Sequence, residues 1–238
     1  METLSKNKIK WIRSLQRKKN RDIEQLFIVE GEKMVRELIE QHSEQIECVI
    51  STDTDFSFNG LSYHASKKSM EEISSLKTPN KLLAVVKIIK DKQIDAQFIL
   101  ALDDIQDPGN MGTILRIADW FGVDKIICSK NTVDIYNSKV VQASMGSIFR
   151  IPTEYCQLED YLSKIELPIY GALLDGENIY TKTLERKGVI ILGNEGSGIS
   201  ESVQEFIQEA INIPRFGQAE SLNVAIAGSI ILSEFSRR

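Results

Sequence analysis

Three polar, glycine-bearing segments each follow an apolar run in the later part of the chain. They are DDIQDPGNMGTILRIADWFG (103–122), GNEGSGIS (193–200) and IPRFGQAESLNVAIAGSIILSEF (213–235). Glycine costs conformational entropy on folding, so a cluster of it after a strand marks a backbone that turns sharply or comes close to something. In the first segment Pro108 and Gly109 form a turn, and the helix that follows exposes Arg116 about two turns in. In the third, Ser221 reads as the N-cap of the last helix. Each segment alone has an ordinary explanation as the βα turn of a doubly wound sheet. Together they reach one rim of that sheet, and ligands of open α/β sheets bind beyond the carboxyl ends of the strands. The chemistry is not that of a P-loop, because G-K-[ST] is missing. GNEGSG is not G-x-G-x-x-G and comes late in the chain, which argues against dinucleotide binding.

The elements that position these segments are legible as alternating patterns. FILALDD, KIICS, PIYGALLD, GVIILG and AINIP read as strands. Helices are expected at roughly 109–121, 137–146, 158–165, 200–209 and 221–237. The strands show little polar alternation, so a mainly parallel sheet covered on both faces is expected. Upstream, KWIRSLQ reads as a short helix and LFIVEG as a strand. GEKMVRELIEQ follows as a helix with Met34, Val35, Leu38 and Ile39 on one face. IECVIST and KLLAVVKI are strands, and SKKSMEEISSL is a helix with Ser66 as its N-cap. The polar stretch KDKQIDAQ reads as a linker. The expected division is a small α/β domain at 1–90 and a larger α/β domain at 97–238.

Of the 238 residues 42% are hydrophobic and 26% charged, the balance of a soluble globular protein. With no apolar run of eighteen residues and no signal-peptide pattern, neither a membrane partner nor secretion is expected, and the protein reads as cytoplasmic or else organellar. Cys48, Cys128 and Cys156 lie far apart and only His42 and His64 accompany them, so no metal site is expected and the thiols read as free. The net charge of −5 argues against a protein that coats nucleic acid indiscriminately. The charge is uneven, however. SKNKIKWIRSLQRKKNR concentrates Lys6, Lys8, Lys10, Arg13, Arg17, Lys18, Lys19 and Arg21, a local footprint for phosphate or else a solvated helix face.

In order and spacing, NMGTILR, ILGNEGSGI and IPRFGQAESLNVAIA resemble the three motifs of the SpoU (TrmH) family of RNA ribose methyltransferases, within the SPOUT superfamily. The resemblance covers about residues 97–238. A weaker one, resting on FIVEGEKMVREL, relates the first ninety residues to an L30e-like substrate-binding domain. It implies a parallel sheet with a deep trefoil knot, S-adenosyl-L-methionine as cofactor, a homodimer, and RNA, most often ribosomal RNA, as substrate. Transfer RNA as substrate, or a non-catalytic RNA-binding or ribosome-assembly role, are the alternatives. Carried over residue by residue, the resemblance makes Asn110 and Arg116 the polar pair of the first motif. Glu195 is the glutamate of the second, and Ser221 and Asn223 are the pair of the third. The backbone at Gly193, Ile213 and Leu222, with Leu192, Asn194 and Gly196, would surround the cofactor's adenosine. Small residues there let main-chain donors and acceptors reach a purine edge. Ser144, Gly146 and Arg150 would line the RNA side, and Lys18, Lys19 and Arg21 would hold RNA.

Methyl transfer to a ribose hydroxyl needs an aligned nucleophile and a destination for its proton. The family's usual base is the motif-one arginine, here Arg116, although a guanidinium, which holds its proton in proteins, suits the role of a cation better. Arg116 as base, or Arg116 as phosphate clamp and alkoxide stabiliser, are both open from sequence.

Overall fold

The computed structural model describes residues 2–89 and 94–237. Part of the KDKQIDAQ linker lies outside the described residues. The chain forms two compact units: Met1–Lys90 joined by Tyr136–Gly146, and Asp91–Ile135 joined by Ser147–Arg238.

The first unit is built on β1 (Glu2–Thr3), β2 (Leu26–Glu30), β3 (Ile46–Ser51), β4 (Ser62–His64) and β5 (Leu82–Lys87), in the order β1-β4-β3-β5-β2. The pairings β2–β5 and β3–β5 are antiparallel, and β1–β4 and β3–β4 are parallel. The helices are α1 (Lys6–Ser14), α2 (Lys18–Glu24), α3 (Glu32–Gln41) and α4 (Lys67–Ile73). β1 and β4 escape sequence reading because strands of two and three residues carry no periodic signal. Ser66 caps α4 as expected, its hydroxyl accepting from Ser69 N at 3.1 Å. On α3, Met34, Val35 and Leu38 are buried and Ile39 is half-buried, the expected apolar stripe.

The second unit carries β6 (Phe98–Leu102), β7 (Lys125–Ser129), β8 (Thr153–Cys156), β9 (Ile169–Asn178), β10 (Gly188–Leu192) and β11 (Glu209–Asn212). Its order is β11-β9-β10-β6-β7-β8, and every pairing is parallel. The central strands β6 and β10 are buried at every residue, which is why they lack polar alternation. Between the strands run α5 (Pro108–Trp120), α6 (Ser138–Ser144), α7 (Leu158–Leu162), α8 (Glu201–Gln204) and α9 (Val224–Ser236). α6 lies in the excursion that groups with the first unit, where the Tyr136 ring packs tilted against Phe27 with centroids 4.6 Å apart.

Three details differ from the expectation. The helix expected over 200–209 stops after one turn, because the chain must reach β11 at Glu209. The edge strand β8 is half-buried throughout and TEYC gives no apolar run to find. The last helix starts at Val224, and its N-cap is Asn223 rather than Ser221. α9 buries Val224, Ala225, Gly228, Ile231, Leu232 and Phe235 against its own unit. Phe235 meets Tyr170 edge-on at 4.9 Å, and a Cβ on Gly228 would come within 2.8 Å of Leu192 Cδ1. The missing side chain lets this helix settle on the end of β10.

Candidate active site

The adjacent strands β6 and β10 deliver the first two segments side by side. Asp103 N donates to Leu192 O at 2.9 Å. The buried Asp103 carboxylate accepts from Ser200 N at 2.8 Å, and Asn194 Nδ2 donates to Asp104 O at 2.8 Å. Asp104 is left-handed at φ 58°, a conformation Asp tolerates better than most residues. Its N–H donates to Ser129 Oγ at 2.8 Å, so the turn after β6 is anchored to β7.

GNEGSG closes on itself. Asn194 N donates to Gly198 O at 2.9 Å and Gly198 N to Asn194 O at 3.0 Å. Asn194 Oδ1 accepts from Gly196 N at 2.8 Å and Ser197 N at 3.1 Å. Gly198 sits at φ 73°, where side chains are strained. A Cβ on Gly193 would collide with the main chain of Gly198 and Ile199, so the loop's own closure demands glycine there. Gly196 differs: a Cβ there would meet only Asn194 Oδ1, at 3.5 Å.

Three of the five catalytic candidates, Asn110, Glu195 and Asn223, converge in one hydrogen-bonded chain. Asp107 caps α5, its Oδ1 accepting from Asn110 N at 2.8 Å, with Pro108 opening the helix. Asn110 Nδ2 donates to Glu195 Oε1 at 2.6 Å, and Asn223 Nδ2 donates to Asn110 Oδ1 at 2.9 Å. Asn223 Oδ1 accepts from Ala225 N at 3.0 Å and Ile226 N at 3.3 Å. The start of α9 thereby fixes which way the Asn223 amide points. That amide orients Asn110, and Asn110 presents a donor to a carboxylate. All three motifs meet here across sequence separations of 85 and 113 residues. Arg116, six residues after Asn110 on α5, is exposed and has no hydrogen bond or ion pair among the described residues.

The remaining candidates divide. Leu192 is buried in β10, Ile213 is half-buried and Leu222 is largely exposed. No turn, cap or loop hydrogen bond engages the main chain of Gly193, Ile213 or Leu222 among the described residues. Ser221 is exposed and does not cap. Lys18 and Lys19 are exposed, Lys18 facing Asp22 at 3.9 Å. Arg21 is not an RNA contact: it is 4% exposed, and its Nη1 donates to Leu15 O at 3.1 Å and Gln16 O at 3.0 Å, closing the end of α1. Ser144 is likewise no surface group, being 0% exposed with its hydroxyl donating to Val141 O at 2.8 Å. Arg150 is spent on Asp119, Nε to Oδ2 at 2.8 Å. Sequence reading missed Asp107, although Asp before Pro at a helix start is a capping signal. It also missed Asp103 and Asn194 as loop braces, which no local pattern announces.

Residues 97–233 match the SpoU rRNA Methylase family model, and residues 6–84 match the MRM3-like substrate binding domain. The chain is 30% identical over 240 residues to the 23S rRNA (guanosine(2553)-2'-O)-methyltransferase RlmP of Bacillus subtilis, covering 98% of this chain and 97% of that protein. A structure described as an RNA methyltransferase of the TrmH family from Porphyromonas gingivalis superposes with a TM-score of 0.89 at 36% identity, covering 99% of both chains. An AdoMet-bound rRNA methyltransferase from Sinorhizobium meliloti superposes with a TM-score of 0.86 at 28% identity, covering 100% of this chain and 97% of the other. With the motif residues gathered at one rim of a parallel sheet, these matches show that the chain belongs to the SpoU rRNA methylase family.

Proposed function

We propose that the protein transfers a methyl group from S-adenosyl-L-methionine to a ribose 2'-hydroxyl of ribosomal RNA. The observation that carries this reading is the Glu195–Asn110–Asn223 chain, which ties the three motif segments into one polar site. The cofactor fits what the strand ends offer. The main chain at Gly193, Ile213 and Leu222 is uncommitted to loop bonds among the described residues, and Gly196 leaves room above the loop. Leu192 and Asn194 hold that wall in place, Leu192 from the core and Asn194 by its bonds within the loop and to Asp104 O. S-adenosylmethionine supplies an electrophilic methyl on a sulfonium when bound.

The residues of this chain do the rest. Asn110 and Asn223 hold the Glu195 carboxylate at a fixed place, so that its second oxygen can accept the proton the ribose hydroxyl loses as the methyl is transferred, and the exposed Ser221 is available to the ribose. Arg116 is a permanent cation that grips the phosphate beside the target and stabilises charge developing on the ribose oxygen. Lys18 and Lys19 hold RNA by phosphate contacts.

The same reading includes the family's trefoil knot in the second unit, an L30e-like fold in the first and a cytoplasmic site of action. It also includes a homodimer. Ala225, Gly228 and Leu232 face the chain's own core and are excluded from a subunit contact. Ile226, 55% exposed, with the exposed Ser233 and the half-buried Ser229 and Ile230, remains on α9 for one. Light scattering should give about twice the 26.9 kDa chain mass, and a monomer at micromolar concentration would remove the dimer.

The function is tested by incubating the protein with S-adenosylmethionine and transcribed 23S ribosomal RNA. Transfer to a ribose oxygen, seen as a nucleotide resistant to alkaline cleavage, is the expected result. Transfer to a base would refute the reading.

A further inference from the structure

The segment Arg215–Asn223 is exposed at every residue, and Phe216 on it is 95% exposed. A lone exposed apolar residue is commonplace; the way this one is held is not. Both ends of the segment are anchored. Asn212 Nδ2 donates to Leu173 O at 3.1 Å and Leu174 O at 2.6 Å, and Asn223 is bonded to Asn110. Between them Arg215 Nη1 donates to Ala219 O at 3.3 Å and closes a turn with Phe216, Gly217 and Gln218 at its tip. A Cβ on Gly217 would meet nothing within 4 Å, so the tip stands clear of the protein. The two charges of the turn, Arg215 and Glu220, cancel. What the segment offers is an aromatic face rather than net charge, on a braced turn that runs directly into Asn223.

We infer that Phe216 stacks on an unpaired base at or beside the target ribose and so positions the RNA strand over the site. The inference rests on the RNA ribose methyltransferase reading above. Chemistry at a 2'-oxygen leaves both faces of the base free, and stacking on an aromatic side chain grips an unpaired base without reading its sequence. Phe216 is a substrate-positioning residue and takes no part in proton or methyl transfer.

The test uses the full-length protein with transcribed 23S ribosomal RNA and the variants Phe216→Ala, Phe216→Leu and Phe216→Trp. Loss of one stacking contact corresponds to roughly a tenfold or greater rise in KM for RNA. That rise is expected for both alanine and leucine, with kcat and S-adenosylmethionine affinity within a few-fold of wild type and the oligomeric mass unchanged. Tryptophan should keep the wild-type KM, and its fluorescence should be quenched by RNA beyond the change seen in wild type. An unchanged KM in the alanine variant overturns the inference. So does leucine matching wild type, which would mean apolar cover rather than stacking. A loss of cofactor affinity in the alanine variant would make Phe216 part of the cofactor wall, and a reduced mass would make it a contact with a second copy; either result overturns the inference. If wild-type protein transfers no methyl to RNA, the underlying reading fails and takes the inference with it. If wild type transfers and the variants match it, the inference alone fails.

Discussion

Arg21 on α2 and Arg116 on α5 are both helix arginines in motif-bearing stretches, and the two units use them oppositely. Arg21 is buried and donates to the carbonyls of Leu15 and Gln16 at the end of α1. Around it the first unit spends other polar groups the same way. Gln16 Nε2 donates to Ile73 O at 3.2 Å at the end of α4, and the buried Glu30 carboxylate accepts from Ser75 N at 2.7 Å and from the hydroxyls of Ser74 and Ser75. These contacts satisfy helix ends and loop amides, so their product is a fold. In the second unit Asn223 caps α9 with its amide oxygen, but its Nδ2 and the amide of Asn110 are spent on a chain to Glu195 at an exposed rim, and the exposed Arg116 of α5 has no partner among the described residues. A polar network that ties three separate segments together and faces solvent at strand ends is a site. Burial and bond destination, rather than residue type, separate structural charge from working charge.

The sharpest way to break this contrast is to exchange the readouts. Arg116→Ala should lower methyl transfer by about a hundredfold or more. Its melting temperature and its affinity for S-adenosylmethionine should stay near wild type. Arg116→Lys then separates clamp from base. A clamp needs the planar two-pronged grip, so lysine should be nearly as poor as alanine from about pH 7 to 10. Rescue by lysine that grows with pH would make residue 116 a base. Arg21→Ala should do the reverse. It leaves buried carbonyls unpaired, at a cost of about 1–3 kcal/mol or more in stability, so thermal unfolding should come earlier while the properly folded fraction keeps its turnover. Lys18→Ala with Lys19→Ala should leave stability alone and flatten the salt dependence of RNA binding. If Arg21→Ala instead melts like wild type, the division drawn between the units is wrong.

Asn223→Asp sharpens the account of the amide chain. Aspartate keeps an acceptor for Ala225 N and Ile226 N, so α9 stays capped. It loses the donor that orients Asn110. Methyl transfer should fall by roughly tenfold, the equivalent of one hydrogen bond of about 1.4 kcal/mol, at an unchanged melting temperature. Equal activity in single-turnover assays would show that the Asn110 amide orients itself.

The glycines of the second segment give a paired test. Gly193→Val must push apart the main chain at Gly198 and Ile199, so it should cost stability as well as cofactor affinity. This corrects the simpler expectation that the glycine serves only a ligand's approach. Gly196→Ala is accommodated by the protein alone, and it should lower affinity for S-adenosylmethionine in calorimetry with no change in melting temperature. Unaltered affinity would place the cofactor away from residue 196.

The smallest effects concern the thiols. Burial pushes the Cys48 thiol up to about 11, and burial with the neighbouring Glu154 carboxylate pushes Cys156 up to about 11. Raised values mean little thiolate at pH 8, so native protein should alkylate slowly with iodoacetamide, faster as pH approaches 11. Rapid labelling at pH 8 would show that these thiols are more open than they are drawn.

The sequence carries the second unit's sheet well because its strands are buried on both faces. FILAL and GVIIL have no other sensible environment, and their order with the helices implies a parallel sheet. The site residues were named by motif, and the structure brings Asn110, Glu195 and Asn223 into contact. Local pattern could not separate Asn223 from Ser221 as the cap, since both residue types fit and only the observed start of α9 decides. Nor could it foresee that Arg21 and Ser144 are buried. A charge run reads as surface until tertiary packing turns one of its members inward, and RKKNR looks the same on both sides of that event. The excursion Tyr136–Gly146 is invisible for a related reason: grouping with the first unit rests on long-range contacts such as Tyr136 with Phe27 and with the main chain of Ile89.

The central claim is that the rim holding Glu195, Asn110, Asn223 and Arg116 methylates a ribose. Its most direct test is mass-spectrometric nucleoside analysis of 23S ribosomal RNA after reaction with S-adenosylmethionine and either wild-type or Arg116→Ala protein. The account predicts one 2'-O-methylnucleoside that rises with wild type and is nearly absent with the variant. A base-methylated nucleoside, or equal yields from the two proteins, would contradict it.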